Sequence, residues 1–208
     1  FEVENGILRL IAVDGFRIAV RQENINFEGQ MRFIVPARTL SEVLRLITTE
    51  DDIKICMTKR HIIFTVDGYF IISRLLDGDF FNYERILPEE LCTTAVADVR
   101  LMIDTVERVS QVITDKERRR TPITCKLSDN IIKCTCTTDV GSASDEVPLD
   151  IEGKSLSIGF NFRYLLEALR ATESDKCALQ FEGEDKPLLI RPIDGDTYLY
   201  IVLPVRMK

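Results

Sequence analysis

Hydrophobic and polar residues alternate over much of this chain, and that period of two is typical of β-strands. The first 36 residues predict three strands, ILRLIAV (7–13), FRIAV (16–20) and MRFIVP (31–36). Asp14 and Gly15 separate the first two strands, and an Asp-Gly pair favours the type I′ turn of a hairpin. The chain is therefore expected to open with a β-hairpin and a third strand.

The hydrophobic period changes to that of a helix at three places. Over residues 37–47, Leu40, Val43, Leu44 and Ile47 form an apolar stripe, and Pro36 stands at the first turn. Helical periods also cover residues 96–113 and 161–172. The remaining apolar runs predict strands at 52–57, 61–66, 69–76, 122–128, 131–138, 146–152, 156–160, 177–183, 187–193 and 197–204.

The sequence of the first of these helices recurs in similar form later in the chain. RTLSEVLR (38–45) returns as RYLLEALR (163–170), an offset of 125 residues that the pairs Asn5/Asn130 and Asp14/Asp139 share. Two strand-rich repeats with helices on one side predict tandem α+β domains. The helix at 96–113 has no counterpart in the first repeat, and the chain begins with Phe1 in strand-like sequence. We therefore expect a piece of a longer protein, in which a first strand and helix precede this sequence.

Charge and composition narrow the function classes. The 208 residues carry a net charge of −7, whereas nucleic-acid-binding domains are usually basic. The charge is uneven, however: residues 115–120 read DKERRR, and residues 173–196 are acidic, so one basic face remains possible. No apolar run approaches the about 18 residues of a membrane helix, and no signal peptide is recognisable, so a cytoplasmic protein without membrane contact is expected.

Candidate chemistry is sparse. The six cysteines include no Cys-x-x-Cys pair, and reduced core cysteines are expected, with Cys134 and Cys136 on one face of a strand. His61 is the only histidine, so no His-based catalytic dyad or triad, metal site or cofactor site is predicted. Residues 77–90 begin like a calcium loop, but Phe81 and Pro88 occupy ligand positions, so the segment is interpreted as a connector.

Several segments together resemble the bacterial sliding clamp family, the beta subunit of DNA polymerase III. The segments that carry the resemblance are LRLIAVDGFRIAV (8–20), FIVPARTLSEVLRLI (33–47), LLDGDFFNYERILP (75–88), SIGFNFRYLLEAL (157–169) and YIVLPVRMK (200–208). The resemblance implies tandem clamp domains of α+β class, with antiparallel sheets outside and helices on the inner face. Residues 1–88 would be part of the middle domain, residues 89–208 the third domain, and two full-length chains would close into a homodimeric ring around duplex DNA.

The resemblance also implies a non-catalytic factor that meets DNA without reading its sequence, through positive charges on the inner helices. The candidate DNA-facing residues are Arg38, Arg45, Arg100, Arg108, Arg118, Arg119, Arg120, Arg163 and Arg170. The alternative for each arginine is an ordinary ion pair on a solvated helix face, such as Arg38–Glu42 or Glu42–Arg45.

A second implied site is a hydrophobic groove that takes short linear peptides from the polymerase III catalytic subunit, the clamp loader and repair proteins. The matching residues are Gly15, Phe16, Arg17, Ile18, Pro88, Asn161, Tyr164, Leu188, Val202, Leu203, Pro204, Val205 and Arg206. Apolar members would bury a partner's Leu or Phe, while the polar members would orient it. The alternative for Ile18, Val202 and Leu203 is a strand core.

Two other function classes remain open from the residues alone. The first is a peptide-docking or regulatory module that keeps the groove but does not encircle DNA. The second is a hydrolase with a carboxylate pair, for which Asp77 and Asp79 are the candidates, and it predicts metal-dependent turnover.

Overall fold

A computed structural model describes residues 1–48, 52–114 and 121–206 of the chain. Its helices are α1 (Ala37–Leu46), α2 (Val99–Ser110) and α3 (Phe162–Arg170), with a short 3₁₀ helix at Tyr83–Ile86. Its strands are β1 (Glu2–Glu4), β2 (Ile7–Val13), β3 (Arg17–Asn24), β4 (Met31–Arg32), β5 (Lys54–Met57), β6 (His61–Val66), β7 (Tyr69–Arg74), β8 (Thr93–Asp98), β9 (Ile123–Ser128), β10 (Ile131–Thr138), β11 (Gly141–Pro148), β12 (Asp150–Gly153), β13 (Leu156–Phe160), β14 (Lys176–Phe181), β15 (Leu188–Arg191) and β16 (Tyr198–Val202).

The chain separates into two compact units. The first contains residues 1–9 and 23–83, and the second contains residues 10–22 and the chain from residue 84 onward. Strands β2 and β3 contribute residues to both units. The predicted domain boundary at residue 88 stays a prediction.

The first unit holds two antiparallel groups of strands, β2-β1-β4 and β5-β6-β7. Its core contains Val43 of α1 together with Ile62 and Phe64 of β6. The predicted apolar stripe of α1 is wrong at Leu44, which is 71% exposed, because Leu46 packs against the core in its place. Leu40, Val43 and Leu46 follow one another at a spacing of three, which keeps them on one helix face.

The second unit contains two antiparallel sheets, ordered β12-β8-β14-β15-β16-β3 and β11-β10-β9-β13. Helices α2 and α3 pack against each other, and their buried side chains join those of both sheets in one core. Met102 and Val106 of α2, Leu169 of α3 and Phe160 of β13 are among its fully buried members. The predicted α+β class with antiparallel sheets is confirmed.

The start of the second helix differs from the prediction. Residues 96–98 belong to β8, in which Thr93, Ala95 and Ala97 are buried and the residues between them are less so. Helix α2 begins only at Val99, because the Asp98 carboxylate accepts a hydrogen bond from the Leu101 N–H at 2.9 Å and so caps the helix.

Two predicted strands have different limits. Of the run 31–36, only Met31–Arg32 is a strand, followed by a single bridge between Ile34 and Leu76. The run 146–152 divides at Leu149 between β11 and β12, which belong to different sheets. A buried Leu149 between the two strands made the run look continuous.

The first hairpin does not use the predicted type I′ turn. Neither Asp14 nor Gly15 has a positive φ. Instead the Asp14 carboxylate accepts hydrogen bonds from the N–H groups of Phe16 and Arg17, at 2.9 and 3.1 Å. An aspartate side chain that bonds its own following backbone replaces the turn that a glycine would make. The repeat is supported elsewhere, since Asn5 and Asn130 have φ values of 53° and 58°.

The six cysteines are free thiols, and Cys134 and Cys136 are both buried, as the strand period predicts. Cys125 lies opposite Cys134 on the neighbouring strand, with their Sγ atoms 3.7 Å apart. Burial raises the pKa of the Cys177 thiol to about 12. None of the helices in the described ranges is long and apolar enough to cross a membrane.

The thiols are expected to differ sharply in reactivity. With a pKa near 12, about one Cys177 thiol in ten thousand is ionised at pH 8, and only the thiolate reacts. Cys56 is exposed and should react at once with a disulfide reagent in the folded protein, whereas Cys177 should react only on unfolding. Mass spectrometry of the labelled protein locates the modified thiols, and early labelling of Cys177 would contradict the packed core.

Candidate functional site

Three segments of the second unit come together at the predicted groove. They are the turn before β3, the start of α3 and the chain after β16. The Leu203 N–H donates to the Phe16 carbonyl at 2.9 Å, and the Val205 N–H donates to the Gly159 carbonyl at 2.8 Å. These backbone bonds hold the segment after β16 against both the turn and the end of β13.

An aromatic and cationic cluster stands at this junction. The rings of Phe16 and Tyr164 stack with their centroids 5.5 Å apart and 17° between their planes. The guanidinium carbon of Arg17 lies 4.8 Å from the Tyr164 ring centroid, within cation–π range. Phe16 remains 57% exposed. An exposed, ordered aromatic surface beside a cation is suited to pack an apolar side chain and to orient a polar one.

Two carboxylates hold Arg17 in that place. Its Nε donates to Asp14 at 3.0 Å, and its Nη1 donates to Glu167 of α3. Partial burial acts to lower the pKa of the Arg17 guanidinium, but the hydrogen bonds that it donates to Glu167 and Asp14 outweigh it and raise the pKa. Burial likewise acts to raise the pKa of Asp14, and the hydrogen bonds from Phe16 and Arg17 more than reverse it. The guanidinium is thus permanently charged and oriented.

A mainly apolar cleft of about 330 Å³ lies beside these ion pairs. Its walls are formed by residues of β2, the turn after it, β3, α3 with its C-terminal cap, and β16. The lining residues are Ala12, Val13, Asp14, Arg17, Ile18, Ala19, Glu167, Ala168, Ala171, Tyr200, Ile201 and Val202. Alanines on three of its elements leave the space that larger side chains would fill.

The remaining predicted groove residues have varied placements. Asn161 caps α3 by accepting a hydrogen bond from the Arg163 N–H at 3.0 Å. Leu188 is 1% exposed and belongs to the core of the second unit, and its role in the groove stays a prediction. Ile18 and Val202 are buried but line the cleft. Gly15, Leu203 and Arg206 are exposed, and Pro88, Pro204 and Val205 are half-buried.

The sequence patterns missed Asp14 and Glu167 as parts of this site. Asp14 was recognised only as a turn residue, and Glu167 only as a repeated helix position. Arg17 and Glu167 are 150 residues apart in the chain, and no local spacing signals such a pair. The signal that existed was the repeat itself, which marks Glu167 as a position retained in both helices.

The candidate DNA-facing arginines divide into two classes. Arg45 pairs with Glu42 at 3.1 Å, Arg108 with Asp145 at 2.6 Å, and Arg170 with Glu107 at 2.5 Å. The hydrogen bond that Arg108 donates is the main cause that lowers the pKa of Asp145. Arg38, Arg100 and Arg163 are exposed and, within the described residues, make no ion pair. Arg118, Arg119 and Arg120 lie outside the described residues.

Metal and carboxylate chemistry finds no support in the geometry. The described residues contain no group of three or more His, Cys, Asp or Glu side chains that could hold a metal ion. Asp77 and Asp79 are both exposed. The candidate site consists of stacked rings, an oriented cation and an apolar cleft.

Comparison with known proteins supplies the family. Residues 84–206 match the family model described as the DNA polymerase III beta subunit, C-terminal domain, and residues 1–82 match that of its central domain. The beta sliding clamp of Pseudomonas aeruginosa is 30% identical over 99% of this chain and 56% of its own length. The chain thus spans about half the length of the curated relatives it matches.

Solved structures agree with the family match. The DNA polymerase sliding clamp of Bacillus subtilis superposes with a TM-score of 0.94 at 23% identity, covering 100% of this chain and 56% of that one. A sliding clamp from Pseudomonas aeruginosa bound to griselimycin superposes with a TM-score of 0.91 at 29% identity, covering 99% and 56%. The chain belongs to the DNA polymerase III beta subunit family.

Proposed function

We propose that this chain is part of a sliding clamp, a non-catalytic processivity factor that encircles duplex DNA in the cytoplasm and holds partner proteins through a peptide groove. Membership of the beta subunit family and relatives named beta sliding clamp support this role. The partners are the DNA polymerase III catalytic subunit, the clamp loader and repair proteins, and the ring is a homodimer of full-length chains. No cofactor takes part.

The main support for a peptide groove is the Phe16–Tyr164 stack beside the oriented Arg17. Ordered aromatic surface loses little entropy on binding, and aromatic and arginine residues are the commonest anchors of interfaces. A partner's Leu or Phe would pack on the rings, while the guanidinium would donate hydrogen bonds to an acceptor of the same peptide. The segment from Leu203 to Arg206 would form one border.

A labelled peptide tests the groove directly. A fluorescein-labelled peptide with adjacent Leu and Phe residues should bind the protein with saturable anisotropy, and unlabelled griselimycin should displace it. A matched peptide with both residues replaced by Ser serves as the control. Absence of saturable binding by the Leu-Phe peptide, or equal binding of both peptides, would overturn the groove.

DNA contact is expected to depend on which arginines are unpaired. Arg163 and Arg170 lie seven residues apart on α3, but Arg170 is paired with Glu107, whereas Arg163 makes no ion pair within the described part of the chain. A phosphate must compete with Glu107 for Arg170 and meets no such competitor at Arg163. Arg163 is therefore the stronger candidate for a phosphate contact.

This difference predicts different salt dependences for two variants. Arg163→Ala should reduce the slope of log K against log[salt] by about 0.9, the value for one lost phosphate contact. Arg170→Ala should change the slope less. Anisotropy of a labelled duplex measured over a series of NaCl concentrations checks both, and equal slopes for the two variants would contradict the assignment.

Encirclement is tested with the natural full-length chain. A ring held by topology should stay on circular DNA at high salt and leave when the circle is cut, because no phosphate contact is needed to retain it. Salt-sensitive loss from uncut circles would favour a docking module that does not encircle DNA.

A further inference from the structure

The two copies of the repeated helix use their shared glutamate differently. In α1, Glu42 accepts a hydrogen bond from Arg45 of the same helix, with Nη1 at 3.1 Å from Oε1. In α3, the equivalent arginine, Arg170, turns to Glu107 of α2. Glu167 therefore does not pair with Arg170 of its own helix and accepts a hydrogen bond from Arg17 instead. The repeated sequence thus carries two different ion-pair arrangements.

The Arg17 side chain links the turn before β3 to α3. Its Nε is held by Asp14 of the turn, its Nη1 by Glu167 of α3, and its guanidinium plane lies by the Tyr164 ring. Its Nη2 makes no hydrogen bond among the described residues. A guanidinium fixed at two of its nitrogens presents the third in a defined direction.

We propose that Glu167 is a positioning residue of the peptide site, and that it orients Arg17 so that Nη2 donates to a carboxylate or carbonyl oxygen of a bound peptide whose apolar side chain packs on Phe16 and Tyr164. The proposal rests on the proposed peptide groove. It gives Glu167 a role in peptide binding on α3, the helix whose Arg163 and Arg170 are candidates for DNA contact. Glu42, its counterpart in the first unit, has no such task.

The Glu167 side chain is 55% exposed, so its ion pair contributes modestly to folding and its loss should leave the fold intact. A glutamine at this position keeps an acceptor oxygen but loses the negative charge, so the bond to Arg17 weakens and Arg17 samples more rotamers before a peptide arrives. Ordering it again on binding costs affinity. Glu167→Gln should therefore weaken binding of the labelled Leu-Phe peptide by about threefold to fivefold, the scale of one partly exposed charge-assisted bond.

Two variants provide matched controls. Glu42→Gln changes the same residue at the equivalent position of the first repeat and should leave peptide affinity unchanged. Glu167→Asp keeps the charge on a shorter side chain and should recover part of the affinity that Glu167→Gln loses. The thermal midpoints of all variants, followed by circular dichroism, should stay close to that of the starting protein.

A double-mutant cycle separates positioning of Arg17 from any other role of Glu167. In an Arg17→Ala background, Glu167→Gln should have no further effect on peptide affinity. A loss that persists without Arg17 would overturn the proposed role, and so would unchanged affinity of Glu167→Gln in a protein that binds the peptide. If the starting protein binds no peptide, the groove itself fails, which is a distinct result.

Discussion

Gly153→Ala is expected to lower the free energy of unfolding by about 3 kcal/mol. Gly153 ends β12 with a φ of +116°, a conformation that costs a residue with a side chain about 1–2 kcal/mol. A Cβ atom there would lie 2.2 Å from the Cys92 carbonyl oxygen and 2.8 Å from the Thr93 Cα. Both are backbone atoms beside a sheet, so relief requires movement of the strand, at a further cost of about 1–3 kcal/mol.

The surrounding hydrogen bonds explain why the strand does not give way easily. Gly153 is paired in register with Thr93, the Lys154 N–H donates to the Cys92 carbonyl, and the Cys92 N–H donates to the Phe181 carbonyl. Displacement of Cys92 therefore disturbs β14 as well as β12. The cost falls on the sheet that also includes β16.

Urea denaturation measures the effect as a lower midpoint at unchanged slope. Gly183→Ala is the matched control, because the nearest atom to its added Cβ would be a flexible lysine carbon at 3.7 Å and its φ is not positive. That variant should stay within about 0.5 kcal/mol of the starting protein. Equal stability of the two variants would refute the close approach at Gly153.

The fold was predictable from the sequence wherever one period dominated. Alternation located most strands, and the spacing of Met102, Val106 and Val109 located α2. Errors arose where a local interaction decided a boundary. The Asp98 carboxylate sets the start of α2, and the Asp14 carboxylate makes a turn that the Asp-Gly pair alone does not specify.

The site was predictable only in part because its contacts are long-range. The family resemblance named Phe16, Arg17 and Tyr164, which the structure brings together. It also named Leu188, which lies in a strand whose first three residues are all buried. Glu167 pairs with Arg17 because Arg170 pairs with Glu107 of α2. Helix α2 has no counterpart in the first unit among the described residues. A repeat predicts equivalent positions and does not predict equivalent partners.

Tyr164→Ala is expected to weaken binding of the labelled Leu-Phe peptide at least about tenfold, as loss of an aromatic anchor does at other interfaces. The change removes the ring that stacks on Phe16 and the surface on which the Arg17 guanidinium lies. Phe16 would then be a mobile exposed ring, and Arg17 would lose its cation–π contact. One substitution thus disturbs both the apolar and the polar part of the proposed groove.

Two further variants show whether the ring itself is responsible. Tyr164→Phe keeps the ring, and because the Tyr164 hydroxyl makes no hydrogen bond in the described residues, its affinity should stay within about twofold. Tyr69→Ala removes an exposed tyrosine of β7 in the first unit and should leave affinity unchanged. Anisotropy titrations at fixed salt measure all three. Equal losses for Tyr164→Phe and Tyr164→Ala would assign the effect to the hydroxyl and contradict a stacked aromatic anchor. If Tyr164→Phe retains affinity and Tyr164→Ala loses it, the peptide contacts the face formed by the stacked rings of residues 16 and 164.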